Sequence, residues 1–114
     1  MKIGKRQVDG ITVVILDGRL DSSASGEVMD QLSGLVNAGA TRMILNLESL
    51  TYISSAGLRS ILVAAKLTKT LNGDMRMCEA SDLVSQILET CGFSNLIKID
   101  AHEEDSIKAL GGNL

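Results

Sequence analysis

Few side chains in this sequence could do chemistry. Two adjacent serines, Ser54 and Ser55, lie in "LTYISSAGLRSIL" (Leu50 to Leu62), between an apolar run and a run of small and apolar residues. Asp21 sits in "GRLDSS", and His102 is the only histidine, followed by Glu103, Glu104 and Asp105. Two cysteines, Cys78 and Cys91, complete the set. A serine nucleophile needs a base within hydrogen-bond reach. His102 is the one candidate, and no G-x-S-x-G elbow surrounds Ser55. One histidine and three consecutive acids at a helix start fit the helix dipole better than an ion. The cysteine spacing matches no metal or redox motif, and both cysteines are expected to be small buried hydrophobes. No glycine-rich loop follows a Walker or dinucleotide pattern. These residues predict no catalytic centre, no metal and no cofactor.

The serines have a second use. A serine at a helix start accepts a hydrogen bond from a free first-turn amide, worth about 1 kcal/mol. Other free amides there suit a phosphate group. Gly57 so early in a helix costs stability relative to Ala, and its expected benefit is an unobstructed approach to the serine hydroxyl. Asp21 has two readings that the sequence leaves open. It can cap the following helix, in competition with Ser22 and Ser23, or it can be a contact residue beside Ser55.

The elements that position these residues follow from periodicity and turn chemistry. Asp9-Gly10 is a two-residue hairpin loop, joining a weak strand over Ile3–Val8 to a strong one over Ile11–Leu16, antiparallel to it. Val28, Leu32, Leu35 and Val36 form one helical face, and Gly39 ends that helix. "TRMILNLESL" alternates as a strand, with Met43, Leu45 and Leu47 on one face and Ile44, Asn46 and Glu48 on the other. Residues 56–71 read as a helix whose buried stripe is Leu58, Ile61, Leu62 and Ala65; Lys66 and Lys69 face outward and Asn72-Gly73 stops it. Met75–Cys78 is a short strand. Ser81–Cys91 is a helix with Leu83, Val84, Ile87, Leu88 and Cys91 on one face, and Gly92 supplies a left-handed cap. "LIKI" at 96–99 is the last strand and "HEEDSIKAL" the last helix. Alternating strands and helices require parallel strands with right-handed crossovers. The fold class is therefore α/β, with a mixed, mostly parallel sheet of four to five strands and helices mainly on one face. Its strand-to-helix loops share the carboxyl end of the sheet, where open α/β sheets place their sites. Asp21, Ser55, Ser81 and His102 should collect there.

Composition narrows the partners. The 114 residues predict a single domain over 1–114, and 45% hydrophobic content supplies a core without staples. With Tyr52 and Phe93 the only aromatics, that core is aliphatic. A net charge of −3 and the scarcity of stacking rings argue against nucleic acid. "MKIGKRQV" lacks the apolar stretch of a signal peptide, and no apolar run approaches a membrane span. A cytoplasmic, reduced setting is expected.

Three segments in order, "DGRLDSSASGEVMDQL", "RMILNLESLTYISSAGLRSIL" and "GDMRMCEASDLVSQILETCGFSNLIKI", resemble the STAS domain of bacterial anti-sigma factor antagonists over about Lys5 to Leu110. The resemblance implies the mixed-sheet fold and no enzymatic activity. It implies a partner that is an anti-sigma factor acting as a serine kinase, or a related GHKL-type serine kinase, and a serine phosphatase that reverses its action. Ser55, two before the motif glycine, would be the phosphoacceptor. Asp21 would contact the partner, within a surface of Asp21, Ser22, Ser54, Ser55, Ala56 and Arg59; Arg59 is equally readable as a solvated polar residue. Relatives commonly carry Asp-Ser-[Ser/Thr]-Gly where this chain has Ser54-Ser55-Ala56-Gly57, so Ser54 replaces an acid. Other readings remain: a regulatory domain that binds a nucleotide or other anion at the serine-rich helix starts, or a partner protein outside sigma-factor control, and a serine hydrolase.

Overall fold

A computed structural model of the chain describes residues 1–113. The order of elements is β1 (Lys2–Val8), β2 (Ile11–Leu20), α1 (Ser25–Asn37), β3 (Arg42–Asn46), β4 (Leu50–Ile53), α2 (Ser55–Thr70), β5 (Asp74–Cys78), α3 (Asp82–Thr90), β6 (Lys98–Asp100) and α4 (Glu103–Ala109), with a 3₁₀ turn at Phe93–Asn95 before β6. The sheet is six-stranded in the order β1-β2-β3-β5-β6, and β4 pairs with β2 off that path. Among the described strands only β1 runs antiparallel, from Lys2 opposite Asp17 to Val8 opposite Ile11. Positive φ at Asp9 (52°) and Gly10 (76°) gives the hairpin turn that their residue types predict.

The α/β class is as expected, with one more strand than the four to five foreseen. The difference lies in β2. It runs on through Asp17-Gly18-Arg19-Leu20, read from sequence as loop, to a length of 10 residues. Gly18 at φ 112° permits a register shift between Gly18 and Arg19, and beyond it β2 pairs in parallel with the short β4.

Three helices cover one face. Val28, Leu32 and Val36 of α1, Leu58, Ile61, Ala64 and Ala65 of α2, and Val84 and Leu88 of α3 pack on Val14, Leu16, Met43, Leu45, Met75 and Met77 of the sheet. Among the described residues the other face is covered only by α4, where Ile107 and Leu110 meet Ile11, Val13, Ile44 and Cys78. This is the partly covered side that the fading apolar pattern of Ile44, Asn46 and Glu48 predicts.

Three local expectations need correction. α3 fully buries only Val84 and Leu88, so Leu83 is 54% exposed and Cys91 is also exposed, not part of the core. Cys78 is buried as expected. The last strand starts at Lys98 because Gly92, left-handed at φ 72°, leads into the 3₁₀ turn that seats Phe93 in the core and leaves Leu96 outside. Among the described residues no helix is long and apolar enough to cross a membrane.

Candidate functional site

The start of α2 is built against the end of β2. The Ser54 amide donates to the Leu20 carbonyl (2.9 Å) and holds Ser54 extended at φ −90°, ψ 170°. That conformation makes Ser54 the N-cap, and its hydroxyl oxygen accepts from the Gly57 amide at 3.1 Å. Ser55 is then the first helical residue, exposed, with its hydroxyl not engaged in the cap. The two serines are thus divided in role by one residue of register: one holds the helix, the other faces solvent beside first-turn amides that have no intrahelical acceptor.

Gly57 has a different reason from the open approach expected of it. It is buried, and a Cβ there would lie 2.6 Å from Leu20 Cγ and 2.7 Å from the Leu20 carbonyl oxygen. Its missing side chain lets α2 dock on β2. A second tie joins α2 to α1, as the buried Ser60 hydroxyl donates to the Ser25 carbonyl at 2.8 Å.

Asp21 follows Leu20 directly. Its Oδ1 accepts from the Ser23 hydroxyl (2.7 Å), the Ser23 amide (3.1 Å) and the Ala24 amide (3.2 Å). Asp21 therefore caps the turn that leads into α1, a job also open to Ser22 and Ser23 in the sequence. The Ser23 hydroxyl bond is the main reason its carboxyl group titrates below its ordinary range; desolvation opposes the shift, and the two amides and the nearby Arg19 charge assist it. Ser22 is exposed beside it. Ala56 is half-buried, and Arg59 is exposed one turn along α2 from Ser55, on the same face. Asp21 and Ser22 follow the end of β2, to which the Ser54 amide bond to Leu20 ties the first turns of α2 that carry Ser55, Ala56 and Arg59. Sequence reasoning missed a pair on the adjoining strands. Arg19 stacks over the Tyr52 ring, 4.5 Å from the centroid, across the β2–β4 pair. The signal was hidden because Arg19 was read as loop.

Ser81 and His102 occupy the same end of the sheet in a second cluster. Ser81 caps α3, accepting from the Val84 amide at 3.2 Å. His102 Nδ1 lies 3.7 Å from Glu79 Oε1, and the other Glu79 oxygen accepts the Glu103 amide at 2.8 Å, so α4 is capped from a neighbouring loop. Glu103 does more than complement the dipole: it accepts from Asn46 Nδ2 (2.9 Å) and pairs with Arg6. Burial opposes its charge, but these two partners outweigh burial and hold its carboxyl group below the ordinary range. β6, which precedes His102, lies three strand spacings from β2, roughly 14 Å. Glu79, not Ser55, is what the imidazole faces. Among the described residues no group of three or more His, Cys, Asp or Glu side chains converges as a metal site would.

A mixed sheet with this strand order, a capped helix at the end of β4 and an exposed serine at its first position define a small α/β domain of one recognisable class. The STAS domain family matches residues 2–106, and the chain belongs to that family. It is 31% identical over 109 residues to BtrV of Bordetella bronchiseptica, provisionally named an anti-sigma factor antagonist, covering 96% of this chain and 94% of that one. It is 28% identical over 102 residues to the anti-sigma F factor antagonist of Paenibacillus polymyxa, covering 89% and 87% of the two chains. Its fold matches SpoIIAA, an anti-sigma factor antagonist solved in its unphosphorylated form, with a TM-score of 0.75 at 23% identity over 98% of this chain and 100% of that one.

Proposed function

We propose that this chain is an anti-sigma factor antagonist working by partner switching. In this reading it acts in the cytoplasm, without catalysis, cofactor or metal. It binds an anti-sigma factor that is also a GHKL-type serine kinase, through Asp21, Ser22, Ser54, Ser55, Ala56 and Arg59. The kinase phosphorylates Ser55 and the complex parts; a serine phosphatase restores the hydroxyl.

The observation that carries the proposal is the division of labour at the start of α2. Ser55 is exposed and its hydroxyl is not used to cap the helix, because Ser54 does that. Modification there leaves the cap intact. Phosphorylation adds about −1.5 to −2 charges at neutral pH. In the free domain those charges sit in water at a helix N-terminus, where they are tolerated. Against a partner surface fitted to a neutral hydroxyl, burying an unpaired charge costs several kcal/mol. Fold and stability change little while affinity collapses.

The test is to incubate the chain with candidate GHKL-type serine kinases of the same genome and with ATP, map the modified residue by mass spectrometry, and measure binding by calorimetry before and after. Modification of Ser55 with loss of binding supports the proposal. A Ser55→Ala variant that is still modified at the normal rate defeats it.

A further inference from the structure

Away from the Ser55 surface, a groove of about 430 Å³ runs between the second half of α2 and the segment that leads into β6. Its floor is formed by Ala65, Met75 and Ile97, all buried. Leu62 and the 55%-exposed Leu96 form its walls. Lysines ring it, with Lys66 and Lys69 on α2 and Lys98 at the start of β6. The one carboxylate among its lining residues, Asp74, lies 3.6 Å from Lys69. Lys66 and Lys98 have no carboxylate within 4.0 Å among the described residues.

We propose that this groove binds an amphiphilic anion: an unbranched aliphatic chain on the Ala65–Met75–Ile97 floor, with a carboxylate or phosphate head held between the Lys66 and Lys98 ammonium groups. The volume falls in the range of small-ligand sites. At about 30 Å³ per heavy group, as for a water molecule, it has room for roughly a dozen chain carbons and a head. The occupant is anionic because the rim carries two unpaired cations in a chain whose net charge is −3. Its body is aliphatic because no aromatic ring lines the walls to stack a nucleobase. A long chain is favoured over a small anion because the floor is apolar and gains nothing from a bare phosphate. This inference stands independently of partner switching at Ser55.

The experiment is amide NMR titration of the full chain with laurate, dodecyl phosphate, dodecanol and inorganic phosphate, each below its aggregation limit. Laurate or dodecyl phosphate should shift the amides of Leu62, Ala65, Met75, Leu96 and Ile97 in a saturable manner, and comparison of the two assigns the head group. Dodecanol and inorganic phosphate should bind at least several-fold more weakly. A Lys66→Glu, Lys98→Glu double variant, at two exposed positions and checked for native amide dispersion, should lose roughly tenfold in affinity. A milder Lys66→Gln, Lys98→Gln pair serves if the first does not fold. Absence of saturable shifts, shifts centred elsewhere on the molecule, equal binding of dodecanol, or unchanged affinity in the folded charge variants would each overturn the proposal.

Discussion

Replacing Ser54 by Ala and Ser55 by Ala should have unequal effects on stability, although the residues are adjacent and alike. Ser54 Oγ accepts the Gly57 amide at 3.1 Å, and Gly57 is buried against Leu20. Removing the hydroxyl takes away a cap worth about 1 kcal/mol and leaves a donor that water reaches poorly, which raises the cost to about 1.5 kcal/mol. For a chain of 114 residues that is a fall in Tm of roughly 6 °C. Ser55 is exposed and outside the cap, so its replacement by Ala should stay within about 0.5 kcal/mol of the parent. Ser54→Asp should also stay within about 0.5 kcal/mol, because a carboxylate accepts the same bond and favours the helix N-terminus. Urea unfolding followed by circular dichroism measures all three, with the m-value checked for constancy. Equal losses from the two alanine variants, or a larger loss at Ser55, would refute the assignment of the cap. So would failure of Asp to replace Ser at 54.

Three further outcomes are expected. Gly57→Ala should destabilise by about 1–3 kcal/mol through its contact with Leu20, despite the better helix propensity of Ala; a gain in urea midpoint would show that the close approach is not needed. Asp100 accepts two bonds from the Arg76 guanidinium and one from the Ser106 hydroxyl, and the Arg76 bonds chiefly hold its pKa below the ordinary value. A depressed folded pKa contributes stability that is complete above the unfolded value near 3.9 and is lost as pH falls through the folded one. Asp100→Asn should therefore cost about 1–2 kcal/mol at pH 7 and flatten the decline in stability below about pH 4; an unaltered acid limb in the denaturation series would contradict this. Cys91 is exposed, whereas burial pushes the Cys78 thiol up to about 12, so Ellman's reagent should titrate one thiol in the native chain and two in guanidinium, and rapid reaction of both natively would be inconsistent with the packing under α4.

The overall architecture was legible because its signals are long. The 3.6-residue spacing of Val28, Leu32 and Val36, the alternation through Met43, Leu45 and Leu47, and the Asp9-Gly10 turn each fix an element over many residues. Parallel connection then places the strand-to-helix loops at one end without any knowledge of packing. Short elements were not legible in the same way. β4 is four residues long, and its partner in β2 contains Asp17, Gly18 and Arg19, residues that read as loop until Gly18 takes up its positive φ. Because β4 was missed, the register of the following serines stayed open: only the bond from Ser54 N to Leu20 O decides which serine caps. Gly57 was misread for the same reason, since its contact is with a residue 37 positions earlier in the chain. Arg19 on Tyr52, and Glu79 capping α4, are likewise tertiary facts with no local pattern to announce them.

Ser54, at the position where the resemblance to the family implies an acid, changes the electrostatics of the site more than its shape. Serine and aspartate accept the same cap bond, so the geometry at Ser55 is preserved either way. What the chain lacks is a negative charge one residue from the proposed acceptor. At a separation of about 6 Å, a carboxylate and one phosphate charge would repel by roughly 0.7 kcal/mol in bulk water and by nearly 3 kcal/mol at the effective dielectric of a protein surface. Without it, the charged residues of the β2 end and the first turns of α2 are Asp21, its neighbour Arg19, and Arg59, a slight positive balance. A phosphate on Ser55 would turn that balance negative. With an acid at 54, the same modification would take a neutral surface to a strongly negative one. The change in charge is equal in both cases, but only here does its sign reverse. A partner fitted to the unmodified surface of this chain therefore has no call for a cation facing residue 54, and Ser54→Asp should weaken its binding while leaving the fold intact. Calorimetry on the partner complex reads this directly, and tighter binding of the Ser54→Asp variant would show that the partner retains a cation matched to the missing acid.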